Sequence, residues 1–237
     1  VSFEKTLKIY QAQVENLQVL EKAWKFQVRT INKSLIKDQK YEVELATKQL
    51  MLLHCAYTEC AFSKLIHTPY GFSPSQILQI KQSIKNGSAA EGWKKALELG
   101  LKRLVTKRAD KQVVDIRSQI LKILEQYVAD PSILRNKVAH GQWMVAINRS
   151  GDGINYEVSQ QLKNLDVVVL TRWHIAVVEL CSILRLLIES PNKAFRPNYY
   201  FVIESHIKNV KKTKEWTLAK RVAQLKLKQQ HKPNKVD

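Results

Sequence analysis

Apolar residues recur through the first 35 positions at alternating steps of four and three: Phe3, Leu7, Tyr10, Val14, Leu17, Trp24, Val28, Ile31 and Leu35. Only position 21 interrupts the run, where Glu21 stands with Leu20 beside it. This spacing follows one face of an α-helix and does not fit a strand, whose side chains alternate every two residues. It predicts one long amphipathic helix over 3–37 with a near-heptad stripe. The stripe either packs on a bundle or forms a dimer seam. Seven Gly and six Pro in 237 residues also favour helix over sheet. The expected fold is mainly α, a helical bundle with long N-terminal helices and a small β-hairpin.

The chain in order supports that expectation. A short hinge at 38–40 precedes a second, largely apolar helix over 41–67. Thr68-Pro69-Tyr70-Gly71 breaks it. Ser73-Pro74-Ser75-Gln76 then starts a helix to about Lys85, with a cap, a first-turn proline and a capping-box Gln. Ser88 and Glu91 read as a second capping box, opening a helix to about Lys107. A further helix over 110–129 carries Val113, Ile116, Ile120, Ile123, Leu124 and Tyr127 on its apolar face. Asp130-Pro131 is expected to end it. Residues 143–147 and 154–158 are β-like around Ser150-Gly151-Asp152-Gly153, a hairpin signal. Residues 165–170 fit either a strand or a helix start, and 171–189 a central helix ended by Ser190-Pro191. Phe195-Arg196-Pro197 reads as a loop before a helix from about Asn198. Two units are expected: a helical domain over 1–205 and a basic helix or tail over 206–237, with 229–237 disordered.

Net charge is +18 and the pI near 9.8, which predicts attraction to polyanions. The last 32 residues hold ten Lys and Arg against two carboxylates, close to half of that excess. Lys211, Lys212, Lys214 and Arg221 are candidate RNA contacts there. Lys94, Lys95, Lys102, Arg103, Lys107 and Arg108 form a second candidate basic surface. Cys55, Cys60 and Cys181 are odd in number and lack ligand spacing, so they read as buried free thiols in a reducing cytosol. Residues 1–10 do not read as a signal peptide. The apolar run over 165–188 is interrupted by Arg172, His174, Glu179 and Arg185, so no membrane span is expected. No Walker loop, Gly-x-Ser-x-Gly, His-Glu-x-x-His or acidic metal cluster occurs, which counts against NTPase, serine hydrolase and metallonuclease chemistry. No metal or cofactor is expected.

One stretch concentrates chemistry: Pro131-Ser-Ile-Leu-Arg135-Asn136-Lys-Val-Ala-His140-Gly141. Ser132 can cap a short helix and Gly141 can end it. On such a helix Asn136 and His140 are i,i+4 neighbours, so Asn136 can orient the imidazole. Histidine moves protons near neutrality, and arginine stabilises charge building on a phosphate. Together they suit RNA phosphodiester cleavage without a metal. Arg and His at loose spacing occur roughly 0.8 times by chance in such a chain, but with the adjacent Asn at fixed spacing only about 0.01 times. Trp143 either stacks on a base or packs in the hairpin.

Arg135-Asn136-Lys137-Val138-Ala139-His140-Gly141 resembles the R-x4–6-H signature of the HEPN superfamily, in which a polar residue often follows the arginine. The resemblance implies an all-α domain, usually a homodimer with two motifs facing each other. It implies a metal-independent endoribonuclease that leaves 2′,3′-cyclic phosphate and 5′-hydroxyl ends, in a cytoplasmic toxin or anti-phage defence effector with an antitoxin or defence-complex partner. Arg135, His140 and Asn136 would be the catalytic residues. The superfamily often keeps a polar or acidic residue on an early helix near this pair; Glu59 is the first candidate and His54 the second. Some HEPN toxins carry a modified Tyr two residues after the His, but here that position is Gln142. The alternatives are a non-catalytic RNA- or nucleotide-binding module on the same fold, and a regulatory assembly protein in which the motif is accidental.

Overall fold

The computed structural model describes residues 3–104 and 111–231. The near-heptad stripe forms α1 (Phe3–Ile36), which packs mainly on α2 (Lys40–Ile66). Trp24, Ile31 and Leu35 are buried at that contact, so within the chain the stripe serves the bundle. Asp38 takes a left-handed φ of 55°, a conformation Asp tolerates, and turns the chain back. The bundle continues with α3 (Pro74–Asn86), α4 (Ala89–Leu101), α5 (Lys111–Leu124), α6 (Asp130–Ala139), α7 (Tyr156–Lys163), α8 (Val167–Glu189), α9 (Arg196–Lys212) and α10 (Leu218–Gln230).

Local capping chemistry is realised at α3. The Ser73 hydroxyl accepts from Gln76 N, and the Gln76 side chain accepts from Ser73 N at 2.9 Å. Ser88 makes no such bond, so the second capping box does not form, and α4 stops at Leu101 rather than near Lys107. The hairpin forms but is shorter than expected. Strands β1 (Ala146–Ile147) and β2 (Ile154–Asn155) pair antiparallel, and α7 begins at once because Asn155 caps it through Val158 N at 3.0 Å. The 165–170 ambiguity resolves to helix. Asp166 accepts from Val168 N and Val169 N and starts α8.

α8 is long and apolar enough to cross a membrane by length and composition, yet half of that window is buried inside the bundle. Three of the polar residues that interrupt it find partners on neighbouring helices. Arg172 donates to Thr213 O and Trp216 O beyond the end of α9. Glu179 meets His206 and accepts from Asn209 at 2.9 Å. His174 stacks on Trp24 with ring centroids 4.3 Å apart and approaches Glu21 at 3.4 Å.

Two expected breaks are absent. After Pro191 a wide helical turn, Pro191–Phe195, leads directly into α9, so 195–197 is not a loop. Residues 205 and 206 both lie inside α9, and α10 packs on α1 and the turn after it, through Arg221 and Asn32 at 2.9 Å and Lys226 and Asp38 at 3.0 Å. Residues 229 and 230 complete α10 and His231 follows it; 232–237 lie outside the described residues.

Lys48 is a buried cation that sequence patterning did not single out. It donates to Leu162 O, one of the carbonyls that the end of α7 leaves without helical partners. Burial also governs three imidazoles. It pushes His54 down to about 3 and holds His67 and His174 below the usual range, Glu21 opposing the effect at His174. The unfolded chain protonates these rings near pH 6.5, whereas the folded chain does so only further down. Their contribution to stability is therefore intact above pH 6.5 and is lost as pH falls below it, by up to about 1.4 kcal/mol per pH unit for each ring. Thermal melts from pH 7.5 to 4.5 should show a falling midpoint, with a shallower fall in His54→Phe. A pH-independent midpoint would contradict this assignment.

Candidate active site

The motif does not sit on an isolated helix. A wide turn over Glu125–Ala129 connects α5 to α6, so the chain stays helical from Lys111 to Ala139 through Pro131. The wider turn accommodates the missing N–H and the ring of proline, which would otherwise break or kink the helix. Ser132 does not cap; its hydroxyl donates to Ala129 O at 2.6 Å. The far end behaves as expected. Gly141 has φ of +76°, Gly141 N bonds Val138 O, and Gln142 N bonds Lys137 O at 2.9 Å. These are the two bonds of a Schellman cap, which needs a left-handed residue after the helix. The cap places His140 at the residue that follows the helix, with its side chain exposed.

Arg135 points toward α2. It forms an ion pair with Glu59 and donates to Asn136 Oδ1 at 3.3 Å. Asn136 therefore engages the guanidinium, and the expected Asn136–His140 hydrogen bond is not formed. Among the described residues, the His140 ring has no hydrogen-bonded side-chain partner. Cys55 lies one turn before Glu59 on the same face of α2 and also faces Arg135. Burial pushes its thiol up to about 12, against the pull of the guanidinium. This i,i+4 pair was the one sequence signal that could have placed Cys55 here. Burial likewise pushes Cys181 up to about 12, so neither thiol is a ready nucleophile.

His54 occupies a different position. It is buried among Trp24, Trp173 and His174, ring centroids 6.1 to 6.3 Å apart, and stays neutral. It is a core histidine that also lines a cavity, whereas Glu59 meets the motif arginine directly. Trp143 packs: its indole donates to Val138 O at 3.0 Å, and the residue lies against the buried apolar cluster that includes Leu134, Ala146 and Leu162.

The basic candidates divide. Lys94 pairs with Glu91 and Glu125, Lys95 with Glu98, and Arg103 donates to Gly71 O at 2.9 Å. These groups are occupied by the fold, and Lys102 remains exposed. Lys107 and Arg108 lie outside the described residues. Arg221 binds Asn32 and is half-buried, so it ties α10 to α1. Lys211, Lys212 and Lys214 are exposed, with no carboxylate partner among the described residues. No group of three or more metal-ligating side chains occurs among the described residues.

Searched against protein-family models, curated proteins and solved structures, the chain gives no match in any of the three.

The Arg135–Glu59 pair is part-exposed, with side chains 33% and 54% accessible, so it adds at most about 1 kcal/mol to stability. Glu59→Gln should barely change the melting midpoint while freeing Arg135 for anions. RNA affinity, read by filter binding at low salt, should rise about fivefold, the equivalent of roughly 1 kcal/mol. Unchanged or weaker RNA binding would show that Arg135 does not meet phosphate.

Proposed function

We propose that the chain is a metal-independent endoribonuclease of the HEPN type, acting in the cytoplasm as a toxin or anti-phage defence effector. One observation carries the reading: the early-helix acid Glu59 meets the motif arginine, Arg135, five residues before an exposed His140 whose ring has no hydrogen-bonded side-chain partner among the described residues. An acceptor on α2 holds the guanidinium until a phosphate displaces it. The exposed imidazole beyond the helix end is open to an approaching RNA strand.

In the proposed reaction His140 removes the 2′-hydroxyl proton. The 2′-oxygen attacks phosphorus, the bond to the 5′-oxygen breaks, and that oxygen leaves as a protonated 5′-hydroxyl. The products are a 2′,3′-cyclic phosphate and a 5′-hydroxyl. Arg135 stabilises the charge on the non-bridging oxygens and Asn136 holds the guanidinium in plane. The exposed lysines of α9 and the turn after it supply sequence-independent affinity.

A second copy of the motif would supply the acid for the leaving group. Support for a homodimer comes from exposed apolar side chains around the motif: Ile133 on α6, and Met144, Val145, Ile147 and Ile154 on the hairpin. Lys137 donates to Ile147 O and holds the hairpin against α6, so these groups form one surface.

The test is cleavage of a mixed RNA in EDTA, alongside the mass in solution by light scattering. Wild type should cut as a dimer, His140→Ala should lose about 10² to 10⁴-fold, and Arg135→Ala about 10² to 10³-fold. Equal cutting by all three, or none by wild type, would remove the catalytic assignment. RNA binding that survives His140→Ala without any cleavage would favour the non-catalytic module.

A further inference from the structure

Four polar residues interrupt the apolar helix α8, and neighbouring helices meet three of them. Arg185 is the fourth, and its guanidinium has no hydrogen bond or ion pair among the described residues. It lines a cleft of about 160 Å³ between α1, α2 and α8. This cleft shares no lining residue with the cavity of about 460 Å³ beside Arg135.

The polar lining of the cleft comes from all three helices: Tyr10 from α1, Lys64 from α2, Ser182 and Arg185 from α8, and Thr68 just after α2. These are two cations and three hydroxyls, and no Asp or Glu lines the space. Lys64 is half-buried and also lacks a carboxylate partner among the described residues. Its ammonium lies 5.7 Å from the centroid of the Tyr10 ring, a weak substitute for an anion. Glu21, which acts on Tyr57 of the cleft wall, is engaged by His174 at 3.4 Å and Lys25 at 3.7 Å.

Both cations act on one lining residue. Burial pushes the Cys181 thiol up to about 12, and Lys64 and Arg185 each pull against that shift. Two positive charges that approach one point without a counter-charge repel each other, and an anion between them reverses the sign of the interaction. Two unpaired cations are balanced by a dianion. The space equals about five water volumes, below the range of drug-sized sites. It is enough for a tetrahedral oxyanion and too little for a base with its sugar.

We propose that this cleft is a terminal-phosphoryl site, which takes inorganic phosphate or the phosphate end of a small monoester between Lys64 and Arg185. The guanidinium fork suits two phosphate oxygens and the ammonium, a point charge, suits a third. The Tyr10 hydroxyl is a further donor. The Ser182 hydroxyl gives its proton to Val178 O at 3.1 Å, so its lone pairs can accept from a protonated phosphate oxygen. The bound anion ties α1 and α2 to α8. The site does not rest on the ribonuclease reading: Lys64 lies five residues beyond Glu59, about 140° further round α2.

Calorimetric titration of the full chain at fixed ionic strength with inorganic phosphate, methyl phosphate, acetate and chloride tests the site. Phosphate should bind at least tenfold more tightly than acetate or chloride. At ten times its dissociation constant it should raise the melting midpoint by about 3–5 °C. Methyl phosphate that binds as tightly assigns the site to monoesters, and weaker binding assigns it to inorganic phosphate. Lys64→Met and Arg185→Met should each weaken phosphate at least tenfold, and Lys163→Met should leave it unchanged. Acetylation of the wild-type chain, mapped by mass spectrometry, needs no variant to fold: phosphate should slow modification of Lys64 and not of Lys163. The site is overturned if phosphate binds no better than acetate, leaves Lys64 unprotected, or binds undiminished when both cations are replaced. A short 2′-O-methyl RNA with hydroxyl ends carries diester phosphates alone and should leave Lys64 unprotected. Protection by that RNA equal to protection by phosphate would replace the terminal-phosphoryl assignment with a contact to the RNA backbone.

Discussion

The helix α2 has almost no polar face, and the rest of the fold is arranged to cover it. α1, α4, α6 and α8 all pack on it, and past Glu44 the exposed positions form a narrow line through Leu45, Gln49, Leu52, Ala56 and Glu59. Polar groups that end up inside must then be satisfied by neighbours, since an unpaired one costs about 1–3 kcal/mol. Thr47 donates back to Val43 O at 2.7 Å, and Lys48 reaches the open end of α7. The same packing that buries Leu50, Met51 and Leu65 brings Glu59 beside α6. Core and candidate site thus follow from one constraint.

The second determinant is the continuous helix from Lys111 to Ala139. Its apolar face buries Ile116, Ile120, Leu124, Val128, Leu134 and Val138. A register kept through Pro131 requires the wide turn at Glu125–Ala129. That turn and the Schellman cap set where Arg135 and His140 emerge: one toward α2, the other toward solvent. The cavity beneath Arg135 sits where the wide turn passes α2 and α4.

Features governed by neighbouring residues were legible in the sequence. The stripe of α1, the Ser73 cap, the break at Ser190-Pro191 and the glycine after His140 need little beyond local geometry, and all four are present. Features decided by distant partners were less so. Pro131 reads as a stop until the preceding turn is known to be wide. Residues 156–158 read as strand until Asn155 is seen capping a helix. Lys94, Lys95 and Arg221 read as a basic surface because their partners, Glu125 and Asn32 among them, lie on other helices or in geometry that composition does not show. For the candidate site, Glu59 was accessible as an acid on an early helix. The cavity beside Arg135 was not, because residues of five helices define it.

The most direct test of the central claim is a crystal structure of the chain with an RNA blocked by 2′-O-methyl groups. The predicted result is a backbone phosphate bound by Arg135 in place of Glu59, with a His140 ring nitrogen within about 3.2 Å of the modified 2′-oxygen or the 5′-oxygen. RNA held only by the lysines of α9, with Arg135 still on Glu59 and His140 in solvent, would contradict it.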